Sequence, residues 1–86
     1  MNIIDKNIIR VLFEGGFIVN NGAYGVRVLD KKTNPIMKAT EKRFRKMKGL
    51  LKKNKKGLWV LSPKEILKLN GNSWVKQQYK AQKVKK

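Results

Sequence analysis

The sequence predicts one small α+β domain built from two β-hairpins and two to three short helices. Three observations predict it. Apolar residues recur at helical spacing near the N-terminus. Two runs rich in β-branched and aromatic residues are each punctuated by Asn and Gly. A Ser-Pro-Lys-Glu helix-start signature begins at Ser62. The chain has 86 residues, which is one domain. A chain of this size buries roughly 60–65% of its unfolded surface, so the core is thin. Residues 1–71 carry nearly all the core-forming pattern and form the expected compact unit. Residues 72–86 read as a basic, partly disordered C-terminal extension.

The first element is a helix. Ile4, Ile8, Val11 and Leu12 form one stripe, widened by Ile9 and Phe13. Asn2 or Asp5 caps its start, and Glu14-Gly15-Gly16 ends it, with a glycine in the left-handed position. A hairpin follows. Phe17-Ile18-Val19 leads to the turn Asn20-Asn21-Gly22, and Tyr24 to Leu29 returns. Asp30 to Pro35 is a turn-rich connector, and Ile36-Met37 adds a brief strand.

A second helix begins at Thr40, a good N-cap. On a helical wheel Phe44, Met47 and Leu51 share one side, while Lys42 and Lys46 lie opposite with Arg43 and Arg45 beside them. Gly49 ends it. Lys52-Lys53-Asn54-Lys55-Lys56-Gly57 is then the tip of a second hairpin, whose return strand is Leu58-Trp59-Val60-Leu61. In the third helix Ser62 caps, Pro63 takes the first helical position, and Glu65 closes a capping box. That helix stops at Asn70-Gly71. The two hairpins share no motif, and no internal repeat is evident.

Composition excludes several function classes. There is no Cys and no His, so thiolate and imidazole metal sites and disulfides are absent. The five carboxylates, Asp5, Glu14, Asp30, Glu41 and Glu65, are scattered singly. No pair sits at helical spacing, so no acid/base couple or carboxylate metal clamp is expected, and neither an enzyme nor a cofactor is. No apolar run reaches transmembrane length, and the N-terminal segment lacks the pattern of a signal peptide. A cytoplasmic protein with no membrane partner is expected.

Charge carries the strongest functional signal. Lys and Arg total 22 against five acids, a net charge of +17. Residues 1–30 balance to zero, so the whole excess lies in residues 31–86. Such a field repels itself and disfavours a compact chain, which points to a polyanionic partner. The candidate contacts are Lys42, Arg43, Arg45, Lys46 and Lys48 on the second helix, and Lys52, Lys53, Lys55 and Lys56 on the hairpin. Lys76 and Lys80 in the C-terminal extension complete the set. Trp74 and Tyr79 in the same extension can dock it on the core or stack on bases.

The run from Thr40 through Gly49-Leu50-Leu51, the basic turn, and Gly57-Leu58-Trp59-Val60-Leu61-Ser62 resembles the second half of a winged-helix domain of small phage and mobile-element proteins. In that pattern a helix opening at Ser or Thr passes through a Gly-Leu-Leu step into a hairpin. An apolar strand ending in Leu-Ser then precedes another helix. The resemblance covers residues 38–70. It implies a winged-helix-like domain in which residues 41–48 are the recognition helix and residues 52–57 the wing. The front of the chain departs from the family, since residues 17–29 read as a hairpin where a second helix belongs.

These readings lead to duplex DNA as the expected partner, contacted mainly through phosphates. Arg43 and Arg45 are the candidates for reading guanine edges. RNA is the first alternative, and docking on an acidic surface of a host protein is the second. The sequence does not fix the oligomeric state.

Overall fold

A computed structural model describes residues 2–22 and 25–84. Tyr24, placed by sequence in the first hairpin, and Lys85 and Lys86 of the tail lie outside the described residues. The order is α1 (Ile3–Phe13), β1 (Phe17–Asn20), β2 (Val26–Leu29), β3 (Pro35–Ala39), α2 (Glu41–Met47), β4 (Leu51–Lys53), β5 (Trp59–Leu61), α3 (Pro63–Leu67) and α4 (Trp74–Val84). A 3-10 turn, Lys48–Leu50, joins α2 to β4. This is an α+β domain with one five-stranded antiparallel sheet in the order β3-β2-β1-β5-β4.

Local chemistry sets most boundaries. The Asn2 side chain caps α1 by accepting from the Asp5 N–H at 2.9 Å. Gly15 ends that helix at φ +95°, a conformation a side chain disfavours. Thr40 caps α2 by accepting from the Arg43 N–H at 3.1 Å. Ser62 caps α3, accepting from the Glu65 N–H at 3.4 Å. The capping box there is one-sided. The Ser62 N–H donates to the Leu50 carbonyl at 2.8 Å, and Glu65 instead pairs with Lys68 at 3.5 Å.

Strand alternation decides which side chains are buried. In β2, Val26 and Val28 point into the core, opposite Ala39 and Met37 of β3. Ile18 of β1 shares that face with Val28 and Trp59. The core between this face and the helices is completed by Ile8, Ile9 and Leu12 of α1, Phe44 and Met47 of α2, Leu51, Ile66 and Val75. The strand at 35–39 is longer than the expected Ile36-Met37 pair, because Lys38 and Ala39 also find partners on β2.

The C-terminal segment differs most from its expectation. Residues 72–84 are not a peripheral extension. Val75 on α4 is only 2% exposed, and Trp74 and Tyr79 pack against the core. Val75 and Tyr79 lie one helical turn apart on one side of α4, which makes an apolar strip too narrow to stand out in a lysine-rich sequence. The helix also runs on to Val84, where the sequence reading expected a disordered tail from Lys80.

Gly16 sets the approach of α1 to the sheet. A Cβ there would lie 2.6 Å from the Leu29 carbonyl oxygen and 2.6 Å from Cγ1 of Val11. Gly16→Ala should therefore cost about 1–3 kcal/mol in chemical denaturation, as overpacking does. Gly49→Ala meets nothing within 4 Å and should change stability by less than about 0.5 kcal/mol.

Candidate nucleic-acid interface

The cations of α2 divide by their position around the helix. Phe44 and Met47 anchor it in the core. Lys42 and Lys46, one turn apart, are exposed on the far side. They line a cleft of about 160 Å³ together with Asn2, Thr40 and Arg43. Arg43 itself is not free to meet a ligand. Its Nη1 donates to Oδ1 of Asp5 at 2.6 Å and to Oδ1 of Asn2 at 3.1 Å. Asp5 is buried at 7% exposure, so the pair binds α2 to the first turn of α1. The sequence reading offers Arg43 to a guanine edge, and in this structure its guanidinium is engaged with Asp5 and Asn2 instead. Arg45 is exposed but paired with Glu41 one turn earlier, at 3.2 Å.

The opposite flank of α2 meets the β4–β5 hairpin through Trp59. The Trp59 ring packs edge-on against Phe44 with centroids 5.3 Å apart. The ammonium groups of Lys48 and Lys53 each lie 5.8 Å from the Trp59 ring centroid. Cations over an indole face are attracted to it, so the half-buried ring seats Lys48 of the 3-10 turn and Lys53 of β4. Trp59 was read only as a strand residue in the sequence. The signal available in the sequence is a tryptophan three residues after the Lys52–Lys56 cluster.

The hairpin tip is held by Asn54. Its side chain accepts from the Lys56 N–H at 2.9 Å and the Leu58 N–H at 3.0 Å, while its own N–H donates to the Leu58 carbonyl at 2.8 Å. Gly57 closes the turn at φ +80°. Lys55 and Lys56 thus project from a fixed turn and are exposed. Lys52 and Lys53 do not act with them as one cluster. Their partners are Val60 and Trp59, so they point to opposite faces of the sheet, and only Lys53 faces α2.

The β2–β3 connector repeats this turn. The Asp30 side chain accepts from the Lys32 N–H at 2.8 Å and the Asn34 N–H at 2.9 Å, and its N–H donates to the Asn34 carbonyl at 3.0 Å. The backbone bonds from Asn34 and Lys32 hold the Asp30 carboxyl below the usual carboxylate range. Lys31 and Lys32 occupy the places of Lys55 and Lys56 and are likewise exposed. The expectation of no repeat is therefore corrected: an Asx-Lys-Lys turn occurs twice. Sequence reasoning missed it because Thr33, at φ +66°, stands where Gly57 stands in the second copy.

Lys76 and Lys80 separate in the same way. Lys76 is half-buried, and its ammonium donates to the Leu69 carbonyl at 2.9 Å, tying α4 to the end of α3. One of its three donors thus serves the fold. Lys80 stands exposed on α4. Trp74 packs on the core, with Lys6 and Arg10 of α1 at 5.4 and 5.5 Å from its centroid. Of the two roles the sequence allows it, docking the C-terminal segment is the one seen here.

Besides Lys80 and the outward-facing Lys52, six exposed ammonium groups remain on α2, the 3-10 turn and the β4–β5 hairpin: Lys42 and Lys46 on α2, Lys48 and Lys53 at Trp59, Lys55 and Lys56 at the hairpin tip. None of the six is ion-paired with a carboxylate among the described residues. No described helix is long and apolar enough to cross a membrane. Comparison with protein-family models, with curated proteins and with solved structures finds no match to this chain.

Two stability measurements check these assignments. Arg43→Met leaves the Asp5 carboxylate buried without its cation and should cost about 2–3 kcal/mol, whereas Arg45→Met removes an exposed pair and should cost less than about 0.5 kcal/mol. Thr33→Gly relieves a β-branched residue at positive φ and should stabilise by about 0.5–1 kcal/mol, the gain being trimmed by glycine's larger unfolded-state entropy.

Proposed function

We propose that this protein binds duplex DNA through its phosphate backbone, with α2 and the β4–β5 hairpin as the contacting elements. The observation that carries the reading is a set of six exposed lysines without acidic partners on α2 and the segment running through the β4–β5 hairpin, two of which, Lys48 and Lys53, sit at Trp59. Lysine ammonium groups are compact point charges suited to phosphate. Neutralising phosphates releases counterions and supplies sequence-independent affinity.

Base readout by α2 is weak in this reading. Arg43 is consumed by Asp5 and Arg45 is paired with Glu41, so α2 presents no unpaired guanidinium to a guanine edge. The role is binding, not catalysis, since the five carboxylates stand singly and there is neither Cys nor His.

The resemblance to a winged-helix domain gains support from element order. A helix opening at Thr40, a Gly-Leu-Leu step, a basic hairpin, an apolar strand ending at Leu61-Ser62 and a further helix follow one another as in that pattern. The meander of β1, β2 and β3 stands before α2 in place of a second helix. The reading is accordingly of a wing and a phosphate-tracking helix without a helix-turn-helix.

Salt titration of duplex binding tests it. Six phosphate contacts give a log–log slope of about −5. Replacing Lys42, Lys46, Lys55 and Lys56 by Gln should flatten the slope by about 0.9 for each lysine and weaken binding alike on unrelated sequences. A slope unmoved by all four replacements would remove these lysines as the interface.

A further inference from the structure

The sheet has a second face that the helices leave open. The buried strand residues Ile18, Val26, Val28 and Leu51 all belong to the helix-covered face. Their neighbours Phe17, Val19, Leu29 and Val60 point the other way by alternation. They are half-exposed, and none packs against the core cluster. Phe17 lies directly opposite Leu29 in the register, which makes a flat apolar stripe with an aromatic ring in the central strand.

Cations flank that stripe on both sides. Arg27 pairs across β2–β3 with Lys38, and both lie on the open face, with Val19 beside them on β1. Lys52 reaches the same face from β4, opposite Val60. The two edge strands are four strand spacings apart, roughly 19 Å. No described strand contains an acidic residue. The Nε of Arg27 is buried without a hydrogen-bond partner, and the phosphate-facing part of this side chain is therefore its terminal guanidinium nitrogens.

We infer that this open face binds single-stranded nucleic acid. Unpaired bases stack on Phe17 and the aliphatic stripe, and phosphates meet Arg27, Lys38 and Lys52. A flat apolar strip between cations suits a ligand that carries both exposed ring faces and negative charge. A duplex hides its ring faces and offers mainly phosphate here. A second copy of this chain would bring like charges together on the same face. The inference does not rest on duplex binding by α2, because the residues involved are different and face the other side of the sheet.

Parallel titrations separate the two surfaces. The probes are a labelled oligothymidylate of about 12 nucleotides, within the range one small fold covers, and a mixed-sequence duplex of similar length. Work at ~0.15 M ionic strength limits electrostatic reach to about 8 Å, so charge changes on one face act locally. The Lys38→Glu/Lys52→Glu variant should weaken oligothymidylate binding at least ~10-fold, flatten its salt slope by about 1.4, and leave duplex affinity within ~2-fold. Phe17→Ala should weaken oligothymidylate binding at least ~5-fold with the salt slope unchanged, since stacking releases no counterions. Far-UV circular dichroism of both variants checks the fold. If Phe17→Ala perturbs it, Phe17→Leu replaces that arm and should give the same loss with the slope unchanged.

Lys42→Glu/Lys46→Glu should do the reverse, weakening the duplex and sparing the oligothymidylate. Equal losses on both probes in both charge variants would overturn the inference, as would oligothymidylate binding indifferent to the open-face variants. Sedimentation showing a wild-type dimer that Lys38→Glu/Lys52→Glu dissociates would assign the face to a second copy and overturn it too. Failure of duplex binding alone would count against the α2 reading and leave this one standing.

Discussion

The guanidinium of Arg43 reaches the buried carboxylate of Asp5, and the arrangement of every cation on α2 follows from that contact. The pair joins the first turn of α1 to the first turn of α2. It fixes the rotation of α2 about its own axis while Phe44 and Met47 sit in the core. Lys42 and Lys46 are thereby turned to solvent, and Lys48 falls on the flank that meets Trp59. A short helix has few side chains with which to define its orientation. This one uses two apolar anchors and one ion pair, and the pair is partly shielded from water, where a charge without its partner is costly.

The same scarcity of acids shapes the rest of the molecule. Asp5, Glu41 and Glu65 each hold one cation, and Asp30 is spent on backbone N–H groups of its turn. The remaining excess is accommodated without carboxylates. Each tryptophan seats two cations: Lys48 and Lys53 at Trp59, Lys6 and Arg10 at Trp74. Such contacts contribute about 0.5–1 kcal/mol each at exposed sites, which offsets part of the self-repulsion locally. They leave the net charge untouched, so the field outside the protein stays strongly positive. Strand alternation then distributes that field over two sides, with Lys53 beside α2 and Lys52 on the open face of the sheet.

Much of this fold was legible residue by residue. The caps at Asn2, Thr40 and Ser62, the stop at Gly15 and the turn at Asn54 are local chemistry, readable within a few positions. The stripe of Ile8, Ile9 and Leu12 is a periodicity signal of the same reach. What escaped is non-local. Arg43 looked like a free cation because its partner lies 38 residues earlier in the chain. Lys76 looked free because a carbonyl seven residues back is invisible in sequence. Val75 belongs to the core only because α1 and α3 leave room for it. The lysines at 52 and 53 looked like one cluster until the register separated them. The recurrence of one turn at Asp30 and Asn54 was masked by a single threonine.

The central claim is that α2 and the β4–β5 hairpin meet the DNA backbone. Amide chemical-shift mapping of the labelled protein during addition of a short duplex tests it most directly. The account predicts the largest shifts at residues 40–48 and 52–57, with α4 and the β2–β3 strand pair nearly silent. Shifts confined to α4 or spread evenly over the surface, or no shifts at all in dilute buffer, would contradict it.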